Sequence, residues 1–248
     1  MPPVSAVLIT RNEAGIIKPT LEALKWCDEI IVVDSGSTDD TLAICQSYGA
    51  KCITREFQGF GLQKQYAVSL ATHDWVLCLD ADEVLSNQLQ TDIQTILKNP
   101  TADGYRLRRT LVFLGTVFKY GRESKEYHLR LFNRTKGNFN SVQVHEKVEL
   151  IGNIQDIDSV LMHYSYISIE QYFIKFNEYT SRAAKEISAQ QKGRNMVLLA
   201  LSLPFNFCKH YFVYGNFLNG AAGWVWSLFS AFYPVVKYIK VKEYDAKK

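Results

Sequence analysis

The sequence predicts an α/β fold: an open, Rossmann-like sheet flanked by helices, followed by an aromatic, mainly helical C-terminal extension. Three observations predict it. Short apolar runs rich in β-branched residues alternate with helix-periodic segments as far as Asp80, three of the four runs end in distinctive polar stretches, and the chain turns strongly apolar and aromatic after Met196.

Ala6-Val7-Leu8-Ile9 and Ile30-Ile31-Val32-Val33 are continuously apolar, as strands buried on both faces of a parallel sheet are. Between them Ile16, Ile17, Leu21 and Leu24 recur at helical spacing. Thr38-Asp39-Asp40-Thr41 then supplies N-cap chemistry for a helix through Leu42, Cys45 and Tyr48, which Gly49 ends. A third short strand from Lys51 to Arg55, a helix from Leu62 to Ala71 and a fourth strand from Trp75 to Leu79 complete the alternating series. Beyond Asp82 the pattern changes. A helix is expected from about Asn87 to Leu97, strands around Tyr105 to Phe113 and His128 to Phe132, and a helix from Ile169 to Gln191 carrying Tyr172, Phe173, Phe176 and Tyr179 on one stripe. The expected division is a domain over 1–168 and an extension over 169–248.

Met196 to Val236 is apolar, yet Pro204, Lys209-His210, Gly215, Asn219-Gly220 and Pro234 break it into pieces shorter than the roughly 20 residues of a bilayer span. Two readings stay open. One is an in-plane element at a membrane surface, with Trp224, Trp226, Phe229, Phe232 and Tyr233 at the interface and Lys237, Lys240, Lys242, Lys247 and Lys248 facing anionic head groups. The other is an aromatic helical hairpin packed on the sheet.

Composition narrows the function. With 47% apolar and 21% charged residues the chain is globular, and a net charge of +3 is too small to argue for a nucleic-acid partner. The five cysteines are scattered and never in C-x-x-C spacing, which suggests neither a zinc site nor a disulfide framework and fits a reducing cytoplasm. The N-terminus lacks the basic and apolar regions of a secretory signal.

Ligands of open α/β sheets bind at the carboxyl ends of the strands. There the chain carries Thr10-Arg11-Asn12-Glu13, Asp34-Ser35-Gly36-Ser37-Thr38-Asp39 and Asp80-Ala81-Asp82-Glu83. None is a dinucleotide fingerprint or a phosphate-binding P-loop. Asp80 and Asp82 flank one small residue, Ala81, so two carboxylates can reach one point. Such hard oxygen ligands select Mg²⁺ or Mn²⁺, which retain open positions for a diphosphate. Asp34 could accept hydrogen bonds from a base or ribose, and Lys64 could reach phosphate oxygens as a point charge.

Together S-A-V-L-I-T-R-N-E-A, L-K-W-C-D-E-I-I-V-V-D-S-G-S-T-D-D-T, G-F-G-L-Q-K-Q-Y-A, D-W-V-L-C-L-D-A-D-E, H-L-R-L-F-N-R and V-H-E resemble a family 2 glycosyltransferase of the GT-A fold, and within that group the bacterial lipopolysaccharide-core glucosyltransferases. The resemblance implies that Thr10, Arg11, Asn12, Glu13, Asp34, Lys64, Asp80, Ala81 and Arg130 serve the nucleotide sugar, and that Asp80 and Asp82 hold the metal. It leaves His163 open between a third metal ligand and a core histidine, and Arg130 between phosphate contact and a structural ion pair. Inversion at the anomeric carbon requires a base on the face opposite the leaving diphosphate. Glu146 is the first choice, with Glu126 and Glu123 as runners-up, because the W-Y-P-D-type stretch of many relatives reads Gly121-Arg122-Glu123-Ser124-Lys125-Glu126 here. The expected reaction transfers a hexose, glucose from UDP-glucose, to a lipid-linked saccharide such as the lipopolysaccharide inner core. It places the protein in the cytoplasm, peripheral on the inner face of the inner membrane. Transfer to a polyprenyl phosphate and non-catalytic nucleotide-sugar binding are the alternatives.

Overall fold

In the computed structural model, residues 1–141, 146–166, 168–189 and 196–246 are described. Val144 and His145 of the V-H-E motif, Gln191 at the expected helix end, and Lys247 and Lys248 lie outside them.

The alternating series is present: β1 (Val4–Thr10), α1 (Ile17–Ala23), β2 (Glu29–Asp34), α2 (Thr41–Ser47), β3 (Lys51–Thr54), α3 (Phe60–Ser69) and β4 (Trp75–Asp80). There follow β5 (Glu83–Leu85), α4 (Asn87–Ile96), β6 (Gly104–Phe113), β7 (Thr116–Val117), β8 (Glu126–Asn133), β9 (Gly137–Phe139), β10 (Val148–Leu150) and β11 (Ile154–Tyr166). Three helices close the chain: α5 (Ile169–Ala189), α6 (Met196–Cys208) and α7 (Gly220–Asp245). A π-helical turn over Lys209–Val213 and a 3₁₀ turn over Asn216–Asn219 separate α6 from α7.

The main sheet runs β3-β2-β1-β4-β8-β6-β11-β5, with β7 paired to β6, while β9 and β10 form a separate hairpin. β1 pairs in parallel with β2 and β4, and β8 turns the sheet mixed by pairing antiparallel to β4 and β6. The apolar runs are buried on both faces, as expected. Ala6, Leu8, Val32, Leu77 and Leu79 enter one core cluster, while Val7, Ile9, Ile31, Val33, Val76 and Cys78 enter the other. Because strand side chains alternate, each run must be apolar throughout to fill both layers.

Two compact units result. Residues 1–110 and 126–164 form the first, and residues 111–125 and 165–248 the second. An expected cut at 168/169 leaves 111–125 in the first domain; their membership of the second follows from aromatic packing. Phe113 and Phe118 are buried there with Tyr172 and pack with Tyr166, Phe176, Trp226 and Phe229. Phe113 alone makes ring contacts with Phe118, Tyr166, Tyr172, Trp226 and Phe229 at centroid distances of 5.3–6.5 Å.

The same packing sorts the aromatic residues. The α5 stripe splits, because Tyr172 is buried while Phe173 and Tyr179 are exposed; Thr180, Ala184 and Ser188 continue the inward face at four-residue spacing. Of the aromatics that the membrane-surface reading puts at the interface, Trp226 and Phe229 lie partly buried against the aromatic core and Tyr233 packs on Phe176, whereas Trp224 and Phe232 are exposed. Lys240, expected to face lipid, donates instead to Asn177, Thr180 and Ser181. No described helix is long and apolar enough to cross a membrane. Helix α7 starts against the 3₁₀ turn at a glycine: a Cβ on Gly223 would lie 1.9 Å from the Asn216 carbonyl oxygen.

Candidate active site

Register brings the three polar strand ends together. Thr10 stands opposite Asp34, and Ile9 opposite Asp80, so β1, β2 and β4 end side by side where the strand order reverses. The first two loops are laced to each other. Asn12 adopts a left-handed backbone at φ 56°, which asparagine tolerates better than most residues. Its N–H donates to Ser37 Oγ at 2.8 Å, and its Oδ1 accepts from Thr38 N–H at 2.8 Å. The Glu13 N–H donates to Thr41 Oγ1 at 2.8 Å, and Ala14 N–H to Asp39 Oδ2 at 3.1 Å. Asp34 is fully buried, and its Oδ2 accepts the N–H groups of Gly36 and Ser37 at 2.9 and 2.8 Å. Arg11 is exposed beside these loops.

Asp39, expected to help cap α2, does so without being its N-cap residue. The cap position is Asp40, whose side chain makes no capping hydrogen bond, and Asp39 Oδ1 accepts the Thr41 N–H at 3.0 Å. A side chain that sequence reasoning left unassigned also faces these loops. Gln63 on α3 is fully buried, donating from Nε2 to Ser35 Oγ at 3.2 Å and to the Arg55 carbonyl at 3.3 Å. Gln63 Oε1 and Thr10 Oγ1 are buried with no hydrogen-bond partner among the described residues.

Next to this pocket runs a chain of alternating charge. Lys64, buried on α3, places Nζ 2.7 Å from Asp80 Oδ1 and 2.7 Å from Glu146 Oε1. Arg130 on β8, also buried, reaches Asp80 Oδ2 at 2.7 Å and Glu83 Oε1 at 2.6 Å. Arg109 on β6 lies 3.6 Å from Glu83 Oε1 and 2.6 Å from Glu126 Oε2, and His128 Nε2 stands 3.4 Å from the same Glu126 oxygen. Four carboxylates (Glu146, Asp80, Glu83, Glu126) thus meet three permanent cations (Lys64, Arg130, Arg109), one negative charge in excess.

The energetics follow from burial set against pairing. Burial alone would raise the Asp80 carboxyl, but Lys64 and Arg130 outweigh it and hold that carboxyl well below the usual range. Burial likewise disfavours charge on Lys64 and Arg130, and the facing carboxylates reverse the sign, so both cations are raised. His128, with help from Arg109 and against burial, holds the Glu126 carboxyl at about 2. A carboxyl so acidic is ionised at neutral pH but accepts a proton poorly.

Ala81 is buried, its carbonyl receiving the Thr20 hydroxyl at 2.8 Å, so the turn between the two aspartates is fixed from beneath. Asp82 Oδ2 lies 3.4 Å from His163 Nε2, brought there because His163 pairs with Glu83 in the β11–β5 register. Among the described residues no group of three or more His, Cys, Asp or Glu side chains is arranged to hold a metal ion. Asp82 with His163 offers one oxygen and one nitrogen ligand, while both oxygens of Asp80 face cations. The three base candidates have different partners. Glu146 joins the charge chain through Lys64, Glu126 ends it through Arg109, and Glu123 belongs to the second unit, where its Oε1 accepts Trp226 Nε1–H at 2.9 Å.

These strand ends and this sheet define a glycosyltransferase of the GT-A type, and sequence comparison agrees. Residues 5–149 match Glycosyl transferase family 2, and the chain belongs to that family. An uncharacterized glycosyltransferase of Rickettsia typhi is 33% identical over 260 residues, covering 100% of this chain and 89% of the relative. The lipopolysaccharide core biosynthesis glycosyltransferase LpsC of Rhizobium meliloti is 28% identical, covering 99% of this chain and 94% of the relative. Among solved structures, S. aureus TarS 1-349 in complex with UDP-GlcNAc superposes at a TM-score of 0.50 and 14% identity, over 99% of this chain and 91% of that one.

Proposed function

We propose that this glycosyltransferase is an inverting, metal-dependent hexosyltransferase whose donor is a UDP-sugar, UDP-glucose first, and whose acceptor is a lipid-linked saccharide such as a lipopolysaccharide inner core. It would work in the cytoplasm, peripheral on the inner face of the bacterial inner membrane. The observation that carries the reading is the laced pocket at the ends of β1 and β2 lying beside the Lys64–Asp80–Arg130 cluster. The full-length similarity to LpsC supports the acceptor class.

In this reading Asp34, Asn12, Thr10 and Gln63 hold the nucleoside, with Thr10 Oγ1 and Gln63 Oε1 supplying hydrogen-bonding groups already stripped of water. Arg11 and Glu13 border the same pocket. Lys64 and Arg130 turn toward the diphosphate. A network with one negative charge in excess cannot by itself balance an incoming diphosphate, which supports a divalent cation as part of the donor complex. Asp82 and His163, with Asp80, would hold Mg²⁺ or Mn²⁺, which when bound neutralises charge on the departing nucleoside diphosphate.

Glu146 is the proposed base. Its partner Lys64 holds the carboxylate in place until the diphosphate competes for the ammonium, leaving Glu146 to take the acceptor hydroxyl proton. Turnover of a nucleotide-sugar panel with Mn²⁺, Mg²⁺ or chelator tests the donor and the metal together. Asp82→Asn is expected to abolish metal-dependent UDP binding; normal activity in chelator overturns the metal assignment. Glu146→Gln is expected to keep UDP affinity and lower turnover by about 10² or more, and an unchanged rate moves the base elsewhere.

A further inference from the structure

The second unit carries a cluster that the transfer reaction does not use. Arg122 lies in a 3₁₀ turn between β7 and β8, and Lys209 opens the π-helical turn after α6. Far apart in sequence, both cations converge on one ring: the Arg122 guanidinium carbon is 5.4 Å, and Lys209 Nζ 5.6 Å, from the centroid of Tyr214. The two also lower the Tyr214 phenol from its usual range, Lys209 first, by hydrogen bonding to its oxygen.

No ion pair engages Arg122 or Lys209 among the described residues, whereas Lys64, Arg109 and Arg130 each face a carboxylate. The adjacent acid, Glu123, is occupied by Trp226 Nε1 through one oxygen and faces His210. Two cations at one ring against the single Glu123 carboxylate, whose Oε2 is buried with no hydrogen-bond partner among the described residues, leave a net positive charge that an anion placed between them would offset. The Tyr214 hydroxyl adds a third polar group.

The surroundings say which anion. Immediately before Tyr214 in the chain, Phe212 and Val213 expose 59% and 76% of their surface, and Phe217 and Leu218 follow at 45% and 52%. Earlier in α6, Leu201 and Phe205 are also exposed. A free phosphate needs the cations but gains nothing from apolar neighbours. A phospholipid surface matches both, taking the apolar side chains into the acyl boundary while its phosphates meet Arg122 and Lys209.

We propose that Arg122, Lys209 and Tyr214 form a phosphate-binding site for anionic phospholipid, and that Phe212 and Val213 insert beside it. This deepens the reading of a membrane-presented acceptor and rests on it. It also moves the contact from the tryptophans and the lysine tail to the turn between α6 and α7.

Flotation of the full chain with vesicles tests it, comparing phosphatidylcholine alone with an equal mixture of phosphatidylcholine and phosphatidylglycerol. Wild type is expected to float with the anionic mixture and to lose binding as salt rises. Arg122→Gln with Lys209→Gln should lower the partition coefficient by about 30-fold, roughly fivefold for each charge. Phe212→Ser with Val213→Ser should lower it on both vesicle types, and circular dichroism confirms that each variant folds. If wild type floats and the charge-deleted chain floats equally well, the site is wrong while the membrane reading stands. If wild type floats with neither vesicle, both fall. Millimolar inorganic phosphate at matched ionic strength that displaces wild type from the anionic vesicles would identify a soluble phosphate site and overturn the lipid assignment. Sugar transfer to a detergent-dispersed acceptor is expected to stay unchanged in both double variants.

Discussion

Glu83→Gln is the most discriminating single perturbation of the charge chain. Glu83 is fully buried and accepts Arg130 at 2.6 Å on Oε1 and the Asp80 N–H at 3.1 Å on Oε2, with Arg109 3.6 Å away. Glutamine keeps the shape but not the charge, and it carries one acceptor where the site needs two. If its oxygen faces Arg130, its amide N–H₂ confronts the Asp80 N–H; if flipped, it confronts the guanidinium. Either orientation loses a buried hydrogen bond and leaves Arg130 and Arg109 with less compensation. Breaking a buried ion pair costs about 3–5 kcal/mol, and the pairing that remains between Arg130 and Asp80 argues for the lower end. About 3 kcal/mol corresponds to a fall in Tm of roughly 6–12 °C for a chain of this size. Scanning calorimetry of the two proteins at neutral pH reads it directly. A Tm within about 2 °C of wild type would refute the view that Glu83 is the hub of the network, and with it the claim that Arg130 is held for the donor by buried charge.

Other outcomes follow from the same geometry. Glu126 sits half exposed, its carboxyl held at about 2 by His128 and then Arg109. A depressed carboxyl contributes stability above its unfolded pKa, near 4.3, and loses it as pH falls toward 2. Glu126→Gln should therefore cost under about 1 kcal/mol at pH 7 and make the acid limb of the stability curve shallower between those pH values; an unchanged limb contradicts the pairing. The same substitution should slow transfer far less than Glu146→Gln, which initial rates at neutral pH compare. Phe113→Ala should destabilise the second unit by about 3–5 kcal/mol, whereas Phe232→Ser on the exposed face should change stability by no more than about 0.5 kcal/mol, both measured by urea denaturation.

Legibility followed burial. β1, β2 and β4 were readable because both faces are buried and the runs are apolar without interruption, and their polar ends mark the pocket. β11 escaped because Ile154 to Tyr166 is mostly half buried and includes Gln155, Asp156 and Asp158, so it offers no apolar period. β5 spans only three residues and hides behind the aspartate turn. At the site, the strand-end residues were recognisable by position alone. The hub was not: Glu83 and Arg130 are 47 residues apart, and nothing local to either announces the other. Gln63 was likewise passed over beside the more conspicuous Lys64. An amide signals its role only when burial shows what it bonds. Trp224 and Trp226 part ways, one exposed and one against the core, because aromatic content alone looks alike in a core and at an interface.

The discontinuity of the second unit sets an order on synthesis. Phe113, the ring that touches five aromatic neighbours, leaves the ribosome well before α5 and α7 exist. While the rest is translated, residues 111–125 carry Phe113 and Phe118 with none of their later partners, a sticky segment in a nascent chain whose first unit can already fold. Pausing late in translation, or losing the last helix to a premature stop, would therefore expose a hydrophobic handle in the middle of an otherwise finished domain and invite chaperone capture.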